Sequence, residues 1–223
     1  MNDEEFIKIR REIEAMSDDE KVAKFNLGKK VDARVFSWTA PSIFPPRRRW
    51  GCDIMLEQVR RFAAAQDAPA RKLRAEGRSS FDVAREELEL GAKHSHWMWW
   101  TFPQFLPNIP LEGLSDLTKF YAIKDTEEAH MYLNTPLLYN RYHALTLIVL
   151  RHLERRTVAP VVLMGGEIDC KKLVSSLTLF AAVGLRTART EMARDALGVL
   201  HLMDNAGFGM CEHTMQRFDF SYA

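Results

Sequence analysis

A chain of 223 residues with 47% hydrophobic residues, 27% charged residues and a formal net charge of +1 has the balance of a folded domain with one sizeable core. That charge gives no overall attraction to nucleic acid, so any basic surface must be local. The apolar runs 144–150 and 177–183 are too short to span a bilayer, the N-terminus opens with Asp3, Glu4 and Glu5, and the three cysteines Cys52, Cys170 and Cys211 form no Cys-x-x-Cys pair; a cytoplasmic protein with reduced thiols is expected, with neither a disulfide framework nor a zinc knuckle.

Phe6, Ile9 and Ile13 recur at helical spacing, and the capping box from Ser17 to Glu20 starts a second helix through Val22 and Phe25. From residue 26 to 50 this pattern dissolves into Gly28, Pro41, Pro45 and Pro46, followed by Arg47, Arg48 and Arg49. Proline removes backbone donors and disfavours helix just before it, so the stretch reads as a linker or surface arm, with a boundary near Trp50. The arginine run reads either as solvated linker or as a phosphate-binding patch. Ile54, Met55, Val59 and Phe62 then predict an amphipathic helix ending near Gln66, before Pro69, and residues 71–77 read as charged and exposed. Ser79 or Ser80 caps the next helix, which sets Phe81, Ala84, Leu88 and Gly91 on one face and Arg85, Glu86, Glu87 and Glu89 on the other. Gly91 suits the left-handed position that ends it.

Directly after that helix comes Lys93-His94-Ser95-His96-Trp97-Met98-Trp99-Trp100-Thr101-Phe102-Pro103-Gln104, which holds three of the five tryptophans within four positions. Indole faces, imidazoles, a cation and an amide together suit a planar ligand with a polar edge. A run this aromatic has no clean period, so its backbone is open between an extended strand and a helical turn. In the extended case Trp97 and Trp99 share a face with Ser95, leaving His96, Met98 and Trp100 on the other. The bland alternative is that the indoles plug a helix junction, a role expected of Met98 and at least one tryptophan.

Pro103, Pro107 and Pro110 keep the chain irregular as far as Leu111. Ser115 caps a short helix through Phe120 and Tyr121, and Asp125 starts another that stops before Pro136. Pro136 then opens the most apolar helix, with Leu138, Tyr142, Leu145, Ile148 and Val149, which is expected to be the central buried one. Residues 158–164 form a short apolar piece closed by Gly165 and Gly166. Asp169 opens the next helix, with Cys170, Leu173, Val174, Leu177, Phe180 and Ala181 on a packing arc and Lys172, Ser175, Ser176 and Leu179 on an arc free to meet a ligand; Gly184 is expected to end it. A helix from Thr190 to Met203 and a last short turn from Cys211 to Phe218 complete the chain. With no alternating strands and no repeats, the predicted class is all-α: a compact multi-helix single domain over residues 51–223, with residues 1–50 as a helical and proline-rich N-terminal extension.

The tryptophan segment resembles the core of the domain-of-unknown-function family 1810, a bacterial and fungal family characterised by Lys-x-Ser-His-Trp-Met-Trp followed by Phe-Pro-Gln. Lys93, Ser95, His96, Trp97, Met98, Trp99, Phe102, Pro103 and Gln104 carry the match. It continues through Tyr121, Ala122 and Ile123, Ala129, Tyr132 and Leu133, and Pro136 and Leu137, and resumes at Asp169, Lys172, Ser175, Ser176, Thr178, Leu179 and Phe180. The resemblance is strongest over residues 53–183 and implies a mostly helical single domain. It implies little about activity, because the family is named for having no assigned one. Residues 1–50 are extra, Trp100 stands where phenylalanine is common, and the tail after Gly184 diverges.

Lys172, Ser175 and Ser176 match a small anion site near a helix start or, equally, a solvated helix face, and Asp169 equally suits an N-cap. Convergence of Lys93, Gln104 and Lys172 with a tryptophan face would select a planar anionic ligand of nucleotide or ADP-ribose type. The ligand-binding residues expected on this reading are Lys93, Ser95, Trp97, Trp99, Gln104, Lys172, Ser175 and Ser176. His96 would be the catalytic proton-transfer group if the pocket also hydrolyses its ligand, and a satisfied structural histidine otherwise. No cofactor and no metal are expected: His94 and His96 lack a diagnostic spacing to Cys211 and His213, and Lys93 repels cations. The competing reading is a non-enzymatic protein- or nucleic-acid-interaction module anchored by the tryptophans, with Arg47 to Arg49 as its rim.

Overall fold

The helix that the sequence marks as half-polar is the one the others surround. In the computed structural model, which describes residues 49–70, 77–106, 111–187 and 189–218, helix α8 (Glu167–Leu185) has fourteen buried residues, against seven in α6 (Pro136–Arg155). The expectation that the proline-opened helix would be central is therefore corrected. Its apolar stripe is genuine, but Leu137 and Leu147 on its outer side stay exposed. Beyond its first two turns helix α8 has no outer side, because its polar arc is satisfied from within. The Ser176 hydroxyl shares a hydrogen bond of 3.1 Å with Tyr142 Oη, and Thr178 Oγ1 donates to the Val174 carbonyl at 2.8 Å. The arc of Ser175, Ser176 and Leu179 is thus packed, and only Lys172 and the first turns reach the surface.

Around α8 the described residues form nine further α-helices: α1 (Arg49–Asp67), α2 (Ser80–Glu89), α3 (Met98–Thr101), α4 (Asp116–Tyr121), α5 (Thr126–Asn134), α7 (Pro160–Met164), α9 (Thr190–Asn205) and α10 (Glu212–Phe218), together with α6. No strand occurs among the described residues, so the all-α class holds. Helices α3, α5, α7, α9 and α10 all contact α8, while α6 packs on α9, α5 and α2, and α1 lies across α2, α3 and α5. The local stop and start signals act where expected. Ser79 caps α2 in a capping box with Asp82, Ser115 caps α4, Asp125 caps α5, and Pro136 occupies the first turn of α6.

Three boundaries differ. Helix α1 begins at Arg49, earlier than Ile54, so the last arginine of the basic run is helical. The apolar piece before Gly165 is the helix α7. Helix α8 begins after Gly166, which makes Asp169 an interior residue of its first turn instead of its cap, and it runs through Gly184, where the bare Cα lets Ala193 of α9 approach. The two predicted N-terminal helices, the proline-rich arm, Arg47 and Arg48 lie outside the described residues.

The core is an aromatic stack between α1, α5, α6 and α8. Phe180 lies 4.9 Å from Tyr132 and 4.7 Å from Tyr142, ring centre to ring centre, and Phe62 meets Tyr132 edge-on at 5.2 Å. Burial holds the Tyr132 and Tyr142 hydroxyls well above the usual phenol range, so both remain neutral hydrogen-bonding groups. Among the described residues, no helix is long and apolar enough to cross a membrane.

Candidate functional site

The tryptophan segment owes its shape to a residue that the helical period assigns to the solvent side. The period sets Glu87 with Arg85, Glu86 and Glu89 on the charged arc, yet it is 8% exposed. Helix α2 stops at Leu90, Gly91 takes the left-handed conformation at φ +80°, and the chain folds back over the preceding turn. Glu87 Oε2 then accepts from the backbone N–H of His94 at 3.0 Å, that of Ser95 at 3.1 Å and the Trp97 indole N–H at 2.8 Å, while Oε1 accepts from the Ser95 hydroxyl at 2.6 Å. Burial pushes this carboxyl up, but the four donors outweigh it and hold Glu87 below the ordinary glutamate value. One ionised side chain therefore folds the whole stretch from His94 to Trp97.

From there the chain makes a single helical turn, α3, so strand-like alternation does not apply. Trp97 and Met98 are each 1% exposed and belong to the core. Trp100 is tied down by its indole N–H, which donates to Ser80 Oγ at 2.9 Å, and by its carbonyl, which accepts from Gln66 Nε2 at 2.9 Å. Its ring also lies 5.4 Å from that of Tyr121. These two indoles fill helix junctions, and Trp99 is left half-buried at the edge.

A second tie fixes Lys93. Its backbone N–H donates to the Leu163 carbonyl at 3.0 Å, and its own carbonyl lies so close to Gly165 that a Cβ there would sit 2.7 Å from the oxygen. Gly165 also holds φ +73°. Gly165→Ala should therefore cost roughly 1–3 kcal/mol for the left-handed backbone, plus a clash with main chain that cannot swing away. Gly77→Ala is the comparison, since Gly77 has φ +83° but nothing within 4 Å of its Cβ position. Chemical denaturation should show the larger loss at Gly165, and equal losses would mean that the Lys93 contact is not tight.

Tied in this way, Lys93 meets α8. Its ammonium is 2.5 Å from Asp169 Oδ2 and 5.2 Å from the centre of the Trp97 ring. Lys172 donates to the other oxygen of Asp169 at 2.8 Å and stands 4.5 Å over the centre of the Trp99 ring. Burial raises the Asp169 carboxyl, but the two lysines outweigh it and keep the group below its ordinary value, hence ionised. Two ammonium groups share one carboxylate beside a half-buried indole.

The structure thus brings Lys93, Trp97, Trp99 and Lys172 together and adds Asp169 as their link. Ser95 stands in the same turn with its hydroxyl committed to Glu87. His96 is exposed on that turn, and among the described residues its imidazole has no hydrogen-bond partner. Ser175 and Ser176 are 7% and 0% exposed and lie within the packed part of α8. Gln104 is placed beyond α3, where its backbone carbonyl accepts from the Ile123 N–H at 2.8 Å, and no hydrogen bond joins it to either lysine. His213 bonds the Leu106 carbonyl at 3.2 Å, and no group of three or more metal-ligating side chains converges among the described residues.

Residues 57–198, more than half of the chain, match the family described as "Protein of unknown function (DUF1810)". The chain belongs to that family. Its fold is similar to the crystal structure of the conserved hypothetical protein Rv1873 from Mycobacterium tuberculosis, with 30% identity and a TM-score of 0.54 over 74% of this chain and 98% of that one. No curated protein matches the chain. Within this DUF1810 member, the matched region contains all of the Glu87, Lys93, Trp99, Asp169 and Lys172 constellation and ends inside α9.

Proposed function

We propose that the surface formed by Trp99 and Lys172, backed by the Lys93–Asp169 pair, binds a small planar anionic ligand of nucleotide or ADP-ribose type. The observation that carries this reading is the shared carboxylate: Asp169 divides its two oxygens between both ammonium groups and sets the Lys172 charge against the Trp99 face. An anion draws on that charge, and a planar ring gains contact area from the partly exposed indole. Binding is better supported than catalysis. A general base is normally oriented by a partner, whereas His96 is exposed and its ring is not held by any described residue.

Titration of the intrinsic tryptophan fluorescence with AMP, ADP and ADP-ribose tests the proposal. A saturable change is expected, and Lys172→Ala should weaken it by about 10- to 150-fold, the equivalent of a charge-assisted hydrogen bond of ~1.5–3 kcal/mol. Trp99→Phe should remove most of the signal. No response to any of the three at millimolar concentration would count decisively against the site. Following the same nucleotides for product release, with His96→Ala as the comparison, would show whether turnover accompanies binding.

A further inference from the structure

A cleft of about 710 Å³ lies between α1 and the end of α4. Its wall carries Arg60 and Arg61 on one side and Lys119, Phe120 and Lys124 on the other, and no carboxylate lines it. In a chain whose net charge is +1, four cations in one cleft are a local concentration. They are not equivalent. Arg61 is part of the floor: its guanidinium pairs with Glu128 at 2.5 Å and donates to the Phe120 carbonyl at 2.7 Å and the Ala122 carbonyl at 3.1 Å. Lys119 has only the exposed Asp116 at 3.5 Å on its own helix, a pairing that solvent screens. Lys124 makes no ion pair with any described residue, and Arg60 and Lys124 are both exposed.

Between these cations stands an aromatic ring that folding has left in water. Phe120 is 56% exposed. It lies edge-on against Tyr121 at 4.8 Å, and Tyr121 in turn lies 5.4 Å from Trp100 and 6.0 Å from Phe62. An exposed ring set among exposed cations in an open cleft matches the stacking platform and backbone track that single-stranded nucleic acid requires. We infer that this cleft binds a short stretch of single-stranded nucleic acid, with a base stacked on Phe120 and flanking phosphates on Arg60, Lys119 and Lys124. An acidic polypeptide would use the cations but gain little from the ring, and a duplex keeps its base faces covered.

Fluorescence anisotropy of a labelled twelve-nucleotide single strand with the full chain tests this. Three phosphate contacts at a slope of about −0.7 each predict a loss of roughly 20-fold between 50 and 200 mM salt. Lys119→Glu with Lys124→Glu should weaken binding at least tenfold and flatten that slope. Phe120→Ala should weaken it by about 5- to 100-fold with the slope unchanged, which a purely electrostatic surface would not show. All three side chains lie at the surface, and thermal melts would confirm that the variants fold. Absence of saturable binding, indifference to Phe120→Ala, or equal affinity for a duplex or for polyglutamate would each overturn the inference.

Discussion

Glu87→Ala is expected to destabilise the fold by about 3–5 kcal/mol, because it orphans two backbone amides and a buried indole N–H at once, each worth roughly 1–3 kcal/mol when left unsatisfied. The Ser95 hydroxyl can turn to water, and the emptied turn will relax, so the sum of the separate penalties is an upper limit. The Trp97 indole cannot escape in this way, being 1% exposed and packed on Phe102 at 6.4 Å. Urea unfolding followed by tryptophan fluorescence should show the midpoint falling with little change in slope. The effect has a pH signature. Glu87 is held below its ordinary value of 4.5, so its contribution is complete above that pH and is lost as the pH falls through the lower folded-state value. The stability gap between the parent chain and Glu87→Ala should therefore be constant near neutrality and narrow below about pH 4.5. A variant that unfolds within 1 kcal/mol of the parent at pH 7 would mean that the turn does not depend on this carboxylate.

The burial of Glu87 is not legible in the sequence, for a physical reason. Helix starts and stops are local chemistry: Ser79, Asp125 and Pro136 act within three residues of themselves, so the pattern alone places them. What buries Glu87 is chain seven to ten residues later, folded back by Gly91, and no helical period contains that information. The available signal was indirect, a carboxylate one turn before a helix-ending glycine that is followed by a tryptophan-rich run. Helix α8 misleads for a related reason. Lys172, Ser175 and Ser176 look like an open face until Tyr142, 34 residues earlier than Ser176, supplies the partner that lets that hydroxyl be buried. The pairing of the tryptophan turn with Lys172 was legible only through resemblance, since Lys93 and Asp169 lie far apart in the chain and meet because Leu163 and Gly165 seat Lys93 against the start of α8. Basic surface shows the same limit. Contiguity made Arg47 to Arg49 conspicuous, whereas the cations of the cleft come from separate stretches that α1 and α4 bring together.

Phe180→Ala is expected to cost about 3–5 kcal/mol, the range for truncating a fully buried aromatic side chain. Phe180 joins Tyr132 of α5 to Tyr142 of α6 across α8, and the two phenols cannot close the gap without disturbing the hydrogen bonds of their hydroxyls to Gln66 and Ser176. For a domain of this size the melting temperature should fall by roughly 6–20 °C, at about 2–4 °C per kcal/mol. Phe180→Leu keeps most of the volume and should lose much less. The same variant separates the two roles of α8. Lys172 lies eight residues from Phe180, about 12 Å along the helix at 1.5 Å per residue, and its partners Asp169 and Trp99 make no ring contact or hydrogen bond with Phe180. At a temperature where Phe180→Ala is still folded, a ligand seated on Trp99 and Lys172 should bind it as it binds the parent chain. A loss of ligand response in proportion to the loss of stability would instead tie the proposed site to the aromatic core and remove the case for a separate binding surface at the start of α8.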